Sequence, residues 1–221
     1  MWNKLDRVVD FSLSVLLVLC ITGLALLFSK PEVSKYQPLL DATVKVINGS
    51  GHGSGVLIKN SLVITNRHVV EGLDVTDIIF NDGSSVVGSV VLSSKGPLDF
   101  AIIRIDPVGV EPVPIRCSVP IVGEEISIVG NPLKASNVLL KGIISSGELS
   151  NTEEAPNSDV YTIVQAPVNP GNSGGGTFDR KGRLLGITTA YLVAPSFWIA
   201  TNSGLGLMQP LYKFCDALGL G

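Results

Sequence analysis

Short apolar segments rich in Val, Ile and Thr recur along most of the chain, and Gly, Pro, Asn or Asp closes nearly every one of them. β-Branched runs of this length between turn residues are typical of antiparallel strands, and almost no stretch has a helical period. The pattern predicts eleven strands, over 42–47, 55–58, 62–65, 78–80, 85–92, 100–105, 125–129, 138–145, 161–166, 184–190 and 198–201. An all-β sandwich or a pair of barrels accommodates such strands. Helix is predicted only for the N-terminal run, a turn after His68 and residues 210–218.

The N-terminal run has a different pattern, because residues 11–28 include no charged side chain. As a helix, 18 residues rise about 27 Å, close to the roughly 30 Å of a bilayer's hydrocarbon core. We therefore predict a tail and transmembrane helix over 1–29, a linker over 30–40 and one folded domain over 41–221. A cleaved signal peptide is disfavoured because its small-x-small cleavage site does not appear cleanly here. Lipid modification of Cys20 is disfavoured because Leu19 stands directly before it, where lipoprotein signals have a small residue. Lys4 and Arg7 precede the run and Lys30 and Lys35 follow it, so the positive charges nearly balance and leave the membrane orientation open.

Charge and cysteine content exclude some classes of function. The formal net charge of the 221 residues is −3 and no basic run occurs, which disfavours nucleic-acid binding. The three cysteines, Cys20, Cys117 and Cys215, form no C-x-x-C pair, so no metal site is predicted. A Cys117–Cys215 disulfide is one interpretation, and the favoured one is two separate small buried side chains.

A serine among glycines is the first candidate for chemistry. In the segment 171–175, Gly-Asn-Ser-Gly-Gly, the glycines allow the backbone to turn N–H groups toward one point beside the hydroxyl of Ser173. A glycine-rich turn between strands has the same pattern. The assignment of Ser173 as a nucleophile therefore depends on finding a base and an acid.

The candidate base is His68, because the strand before it delivers the ring to a turn that Val69 and Val70 can anchor in the core. His52, the other histidine, lies between glycines in a segment that we expect to be too flexible to orient an imidazole. Asp99 is the candidate orienting acid, since it stands at the mouth of an apolar strand where a carboxylate needs a donor. A histidine satisfied in the core and an aspartate in a turn are the alternative interpretations.

Chain order separates two serine-hydrolase architectures. The α/β-hydrolase elbow requires its acid and histidine after the serine, but no histidine follows Ser173. The order His68, Asp99, Ser173 is that of a chymotrypsin-like double β-barrel. Three blocks of sequence, over 53–70, 98–102 and 169–175, also resemble those of the HtrA (Deg) family of trypsin-like serine proteases, over about 42–209.

That resemblance implies a role for several residues. Ser173 would be the nucleophile, His68 the general base and then acid, and Asp99 the residue that holds the imidazole tautomer. The amides of Gly171 and Ser173, with Asn172 between them, would form the oxyanion hole. The substrate-binding residues implied are Val168, Thr188, Thr189 and Ala190, the last three on a strand to which an extended peptide adds.

Two features depart from the family pattern. Gly176 stands where a proline usually follows Ser-Gly-Gly, and the sequence ends about twelve residues after Gln209. No PDZ domain is therefore expected. A homotrimer is implied by analogy alone.

Together these features predict a single-pass membrane protein with an extracytoplasmic serine endopeptidase domain. It would cleave extended or unfolded polypeptides after small or medium apolar residues, through an acyl-enzyme and without metal or cofactor. Two alternatives share the fold and the site: a non-catalytic peptide-binding module and an esterase.

Overall fold

The structure is a computed structural model that describes residues 34–49, 51–96, 98–149, 160–194, 201–216 and 218–219. Residues from Tyr36 onward form one compact unit. Within the described ranges, no helix combines the length and the apolar character needed to cross a membrane. The predicted transmembrane helix lies outside these ranges.

The first barrel closes through six antiparallel strands in the order β1-β2-β3-β6-β5-β4. Alternate β-branched residues face its interior, so Val44 and Val46 of β1 are fully buried. The strands are β1 Thr43–Asn48, β2 Gly51–Lys59, β3 Leu62–Thr65, β4 Val75–Ile79, β5 Ser85–Ser93 and β6 Ala101–Arg104.

The second barrel closes in the order β10-β11-β12-β9-β8-β7. Its core includes Ile128, Val164, Leu185 and Met208. The strands are β7 Glu125–Gly130, β8 Val138–Leu149, β9 Tyr161–Gln165, β10 Gly176–Phe178, β11 Leu184–Ala194 and β12 Thr201–Pro210. Two closed antiparallel barrels confirm the predicted all-β, chymotrypsin-like double-barrel fold.

Residues of the second barrel extend the core of the first, and this continuity holds the barrels together. Phe178 and Ile187 belong to the same buried cluster as Val56 of β2. Beyond β12, the ring of Phe214 stacks on Phe100 with centroids 4.4 Å apart. The two barrels therefore meet along an apolar seam, and the loops at its edge lie close enough to build one site.

A short helix precedes the first barrel. Helix α1, Gln37–Ala42, has a proline in its first turn, where a missing N–H costs no hydrogen bond. Leu39 and Ala42 are buried. The compact unit therefore begins within the predicted linker 30–40 and before the predicted boundary at residue 41.

The structure corrects two details of the predicted elements. No strand was predicted over Gly176–Phe178, which pairs with β7 and β11 as the separate strand β10. Strand β12 extends to Pro210, and a 3-10 turn, Leu211–Lys213, follows it, so the predicted helix over 210–218 is wrong at its start. Most of the predicted strand 198–201 lies outside the described residues.

The favoured interpretation of the cysteines is wrong. Cys117 and Cys215 form a disulfide, with Cα atoms 5.9 Å apart across 98 residues of sequence. Cys117 is exposed in the connection between the barrels, and Cys215 follows the C-terminal 3-10 turn. The sequence alone could not pair them, because only the folded barrels bring these two segments together.

Candidate active site

Strand pairing places His68 beside Asp99. The last residue of β3, Thr65, pairs with the first of β6, Ala101, so the segments flanking these two strands meet at one end of the barrel. His68 follows β3 in the 3-10 turn Arg67–Val69, and Asp99 precedes β6. Nδ1 of His68 lies 2.6 Å from Oδ2 of Asp99, and the backbone N–H of His68 donates to Oδ1 at 3.0 Å.

The environment of Asp99 keeps its carboxylate ionised. Burial would raise the pKa of Asp99, but the His68 ring and backbone N–H, with the positive charge of Arg67, hold it below its ordinary value. Arg67 also donates Nη1 to the carbonyls of Gly96 and Leu98 at 3.0 and 3.3 Å. The loop that carries Asp99 is therefore tied to the residue before His68.

The nucleophile loop lies between β9 and β10 and is held from both barrels. Its Ser173 carbonyl accepts a hydrogen bond of 2.7 Å from the backbone N–H of Ser54 in β2. On the other side, Gly174 N–H donates to the carbonyl of Thr188 at 2.7 Å, and Thr188 N–H donates to Gly175. These bonds place Ser173 at the seam between the barrels, next to His68 in one cleft of about 370 Å³.

The hydroxyl of Ser173 does not bond to the base in this state. Its Oγ donates to the carbonyl of Thr189 at 2.9 Å. The described residues include no hydrogen bond between Ser173 and His68.

The turn before Ser173 contains the amides of the predicted oxyanion hole. Asn172 N–H bonds to the Asn169 carbonyl at 3.0 Å, and Gly171 has φ +95°, as required at the third position of a type II turn. The Pro170 carbonyl accepts from Leu133 N–H at 2.8 Å and so is already occupied. Within the described chain the amides of Gly171 and Ser173 have no hydrogen-bond partner. Two unpaired amides beside a serine can stabilise an oxyanion.

Comparison with known proteins agrees with this geometry. The family model "Trypsin-like peptidase domain" matches residues 53–187, which is more than half of the chain. The chain belongs to the trypsin-like peptidase family. Its curated relatives include the putative serine protease HhoA of Synechocystis sp., 35% identical over 169 residues, which are 73% of this chain and 41% of HhoA. Protease Do-like 1, chloroplastic, of Arabidopsis thaliana is 32% identical over 173 residues, which are 76% of this chain and 38% of that protein.

Solved structures of HtrA proteases have the same fold. The serine endoprotease from Yersinia pestis superposes with a TM-score of 0.67 at 25% identity, over 83% of this chain and 64% of that one. The HtrA-type protease AlgW with a tripeptide superposes with a TM-score of 0.73 at 25% identity, over 83% of this chain and 61% of that one. This trypsin-like peptidase chain is thus an HtrA/Do homologue, and it spans about two fifths of the length of the curated relatives.

The predicted substrate residues of this peptidase domain differ in accessibility. Thr188 is fully buried, and its Oγ1 lies 3.2 Å from Oγ1 of Thr177, so its side chain faces the core. Thr189 is also buried and presents its carbonyl to Ser173, whereas Ala190 is partly exposed. Val168 is 1% exposed. A Cβ on Gly206 would come within 2.7 Å of Val168 Cγ2, so the valine fills the space beside that glycine.

His52 was expected to be held loosely, and this expectation is wrong. The residue lies in β2, and its Nε2 is 2.8 Å from the carbonyl of Asn131. Ser54 Oγ in turn donates to the Gly171 carbonyl at 2.7 Å and accepts from Asn131 N–H. These residues support the oxyanion turn from below. Their only signal in the sequence was the Gly-His-Gly-Ser segment itself.

Asn172 is a buried polar residue of the site. It is fully buried, and among the described residues neither its Oδ1 nor its Nδ2 has a hydrogen-bond partner. In the described part of the chain, no group of three or more His, Cys, Asp or Glu side chains could hold a metal ion.

Proposed function

We propose that the protein is a membrane-anchored serine endopeptidase that hydrolyses extended or unfolded polypeptides through an acyl-enzyme. The observation that carries the proposal is the bonded His68–Asp99 pair beside a serine with two unpaired amides. Ser173 Oγ attacks the peptide carbonyl while His68 takes its proton, and the imidazolium then protonates the leaving amine. A water activated by His68 hydrolyses the ester and releases Ser173.

The unpaired amides of Gly171 and Ser173 would hold the negative oxygen of each tetrahedral intermediate. Before attack, the Ser173 hydroxyl must leave the Thr189 carbonyl, to which it donates in the resting site. Asp99, with its pKa held low, stays ionised and stabilises the imidazolium that forms.

The substrate would bind as an extra strand along β11. The segment from Thr189 to Ala190 lies directly beside Ser173, and backbone pairing of this kind accepts any extended sequence. A related HtrA-type protease, AlgW, has been solved with a tripeptide and with a decapeptide. An unfolded polypeptide is therefore the substrate class that fits.

A small residue is the expected occupant of the primary specificity pocket. Val168 lies just before the loop that carries Ser173, and its side chain occupies the space beside Gly206. Neither residue offers a carboxylate to a basic side chain. We expect cleavage after small apolar residues such as Ala or Val rather than after Lys, Arg or Phe.

The disulfide supports an extracytoplasmic domain. Disulfides persist in oxidising compartments and are rare in the cytosol, and Cys117 is exposed to whatever reductant surrounds it. Together with the apolar run 11–28, this favours a single-pass protein whose peptidase domain lies on the oxidising side.

A homotrimer is part of the proposal by family analogy, and light scattering of the detergent-solubilised chain tests it.

A fluorophosphonate probe tests the proposed chemistry. Wild-type protein should be labelled at Ser173 at neutral pH, and Ser173→Ala and His68→Ala should not, because one lacks the nucleophile and the other its base. Ser203→Ala, which removes an exposed hydroxyl of β12, is the matched control and should be labelled like the wild type. Absence of labelling in every form would leave a non-catalytic peptide-binding module.

Cleavage of unfolded casein, compared with hydrolysis of a small acyl ester, then separates peptidase from esterase. We expect casein to be cut with small apolar residues at the new C-termini, as mass spectrometry would show. Ester hydrolysis without casein cleavage would contradict the peptidase proposal.

A further inference from the structure

The backbone of Asp99 is held by two buried side-chain amides, one from each barrel. Asn66, at the end of the first barrel's β3, donates Nδ2 to the Asp99 carbonyl at 2.8 Å. Gln209, in β12 of the second barrel, accepts the Asp99 N–H on Oε1 at 2.8 Å. Both amides are fully buried. The backbone N–H of Asp99 is thus bonded to a residue 110 positions away in the sequence.

The Gln209 amide does little else for the fold. Its Nε2 is buried and has no hydrogen-bond partner in the part of the chain that the structure describes, and the same is true of Oδ1 of Asn66. A buried amide that leaves one group unpaired loses much of what its other hydrogen bond contributes. Replacing Gln209 by an apolar residue of the same length should therefore change stability little while it removes the bond to Asp99.

Strand β12 also contacts the other side of the site. Asn202 donates Nδ2 to the Val168 carbonyl at 2.5 Å, and Gly206 packs against the Val168 side chain. Gln209 lies on the same strand and pairs with Ile187 of β11. One strand therefore contacts both the residue at the specificity pocket and the residue that orients the imidazole.

We propose that Gln209 is a positioning residue that, through its hydrogen bond to the Asp99 N–H, holds the Asp99 carboxylate in register with His68 and links this acid to the second barrel. The inference rests on the proposed peptidase function. Asp99 makes its two bonds to His68 at 2.6 and 3.0 Å only if its backbone stays in place. Without the side-chain amide of Gln209, the backbone N–H of Asp99 loses its hydrogen bond to β12.

The test uses the full chain with Gln209→Met, which keeps the length and removes the acceptor. Gln165→Met, at an exposed position of β9, is the matched control. The readouts are the pH profile of fluorophosphonate labelling and the downfield proton resonance of the His68 Nδ1–H. We expect Gln209→Met to label about 10-fold more slowly and to lose or broaden that resonance. A looser carboxylate stabilises the imidazolium less, so the midpoint of its profile should move to lower pH.

The outcomes distinguish the two proposals. If the wild type is labelled and Gln209→Met matches it in rate, pH midpoint and resonance, the positioning role is overturned although the peptidase proposal stands. If no form is labelled, the peptidase proposal itself fails. Loss of stability with an unchanged pH midpoint would assign Gln209 a structural role only, which also overturns the inference.

A measurement on the wild type covers the case in which Gln209→Met does not fold. The Asp99 amide proton should exchange with solvent as slowly as those of the buried β6 residues beside it, such as Ile103. Exchange as fast as that of an exposed turn, such as Gly72, would show that the bond to Gln209 does not hold Asp99, and it would overturn the proposal.

Discussion

Gly176 and Phe178 share one face of β10, and their sizes depend on each other. Phe178 is fully buried, and its ring lies directly over Gly176, with Val56 of β2 beside it. A Cβ at Gly176 would overlap that ring. The glycine at this position, where the family pattern has a proline, is therefore explained by the aromatic residue two positions later.

Gly176→Ala should lower the free energy of unfolding by about 1–3 kcal/mol, because the new Cβ would overlap the fully buried Phe178 ring. Urea denaturation measures the change. Gly147→Ala in β8, where a Cβ would meet no atom within 4 Å, is the control and should be close to neutral. The double variant Gly176→Ala, Phe178→Leu should recover part of the lost stability. Equal effects of Gly176→Ala and Gly147→Ala would contradict the packing argument.

At the scale of elements, the disulfide fastens two segments that lie outside both barrels. Cys117 belongs to the connection between β6 and β7, and Cys215 follows the 3-10 turn after β12. Phe214, next to Cys215, stacks on Phe100 beside the acid of the site. The cross-link therefore keeps the C-terminal segment packed against the base of the Asp99 loop.

Replacing both Cys117 and Cys215 by serine should lower the free energy of unfolding by about 3–5 kcal/mol, because the unfolded chain is no longer cross-linked over a long loop. Denaturation of the oxidised wild type and the double variant measures this. Reducing the wild type should reproduce the loss, while Cys20→Ser should not. If oxidised protein labels with maleimide at Cys117 after unfolding, the disulfide is refuted.

The turn after β10 has a buried charge that makes stability depend on pH. Asp179 is almost fully buried and accepts from Arg183 Nε at 2.8 Å and from the backbone N–H groups of Lys181 and Arg183. Burial would raise the pKa of Asp179, but these bonds hold it below its ordinary value of 3.8. Since the folded pKa lies below the unfolded value, the stabilisation is present above about pH 4. It disappears as the pH falls through the folded pKa.

Asp179→Asn should therefore lower the free energy of unfolding at pH 7 by about 2 kcal/mol. Below about pH 4, the free energy of unfolding of the variant should also change less with pH than that of the wild type. Thermal unfolding of both proteins between pH 2 and pH 7 tests this. Asp106→Asn, at an exposed position, should stay within about 0.5 kcal/mol of the wild type at pH 7. An unchanged slope in the Asp179 variant would show that this carboxylate does not carry the acid sensitivity.

At the scale of the whole molecule, the site exists only where the two barrels meet. The first barrel supplies His68 and Asp99, and the second supplies Ser173 and the unpaired amides. Bonds such as Ser54 N–H to the Ser173 carbonyl cross this seam. Any change that shifts one barrel against the other is therefore expected to reduce activity before it unfolds either barrel.

The apolar run 11–28 gives a prediction for the full chain. The protein should sediment with membranes and resist extraction at alkaline pH, whereas a chain beginning at residue 34 should be released, because about 18 apolar residues are enough to span a bilayer. The shortened chain keeps every residue of the compact unit from Tyr36 onward and should still react with the fluorophosphonate probe. Equal sedimentation of the two chains would exclude this run as the anchor.

Local sequence patterns were enough to predict the class of fold and the candidate residues of the site. Strand alternation is a local property, and each of β1 to β9 overlaps a predicted segment. Each of His68, Asp99 and Ser173 alone had another interpretation, and only their order along the chain together indicated a chymotrypsin-like site. Strand β10 was missed since three residues starting with glycine have no alternation to detect.

Only the tertiary structure decided which distant residues meet. It paired Cys117 with Cys215, supported the oxyanion turn with His52, and placed Gln209 against Asp99. Each of these contacts joins residues more than 75 positions apart, and neither partner has a local pattern that names the other. Barrel closure and the seam between the barrels set these distances, and both result from burying apolar surface over the whole chain.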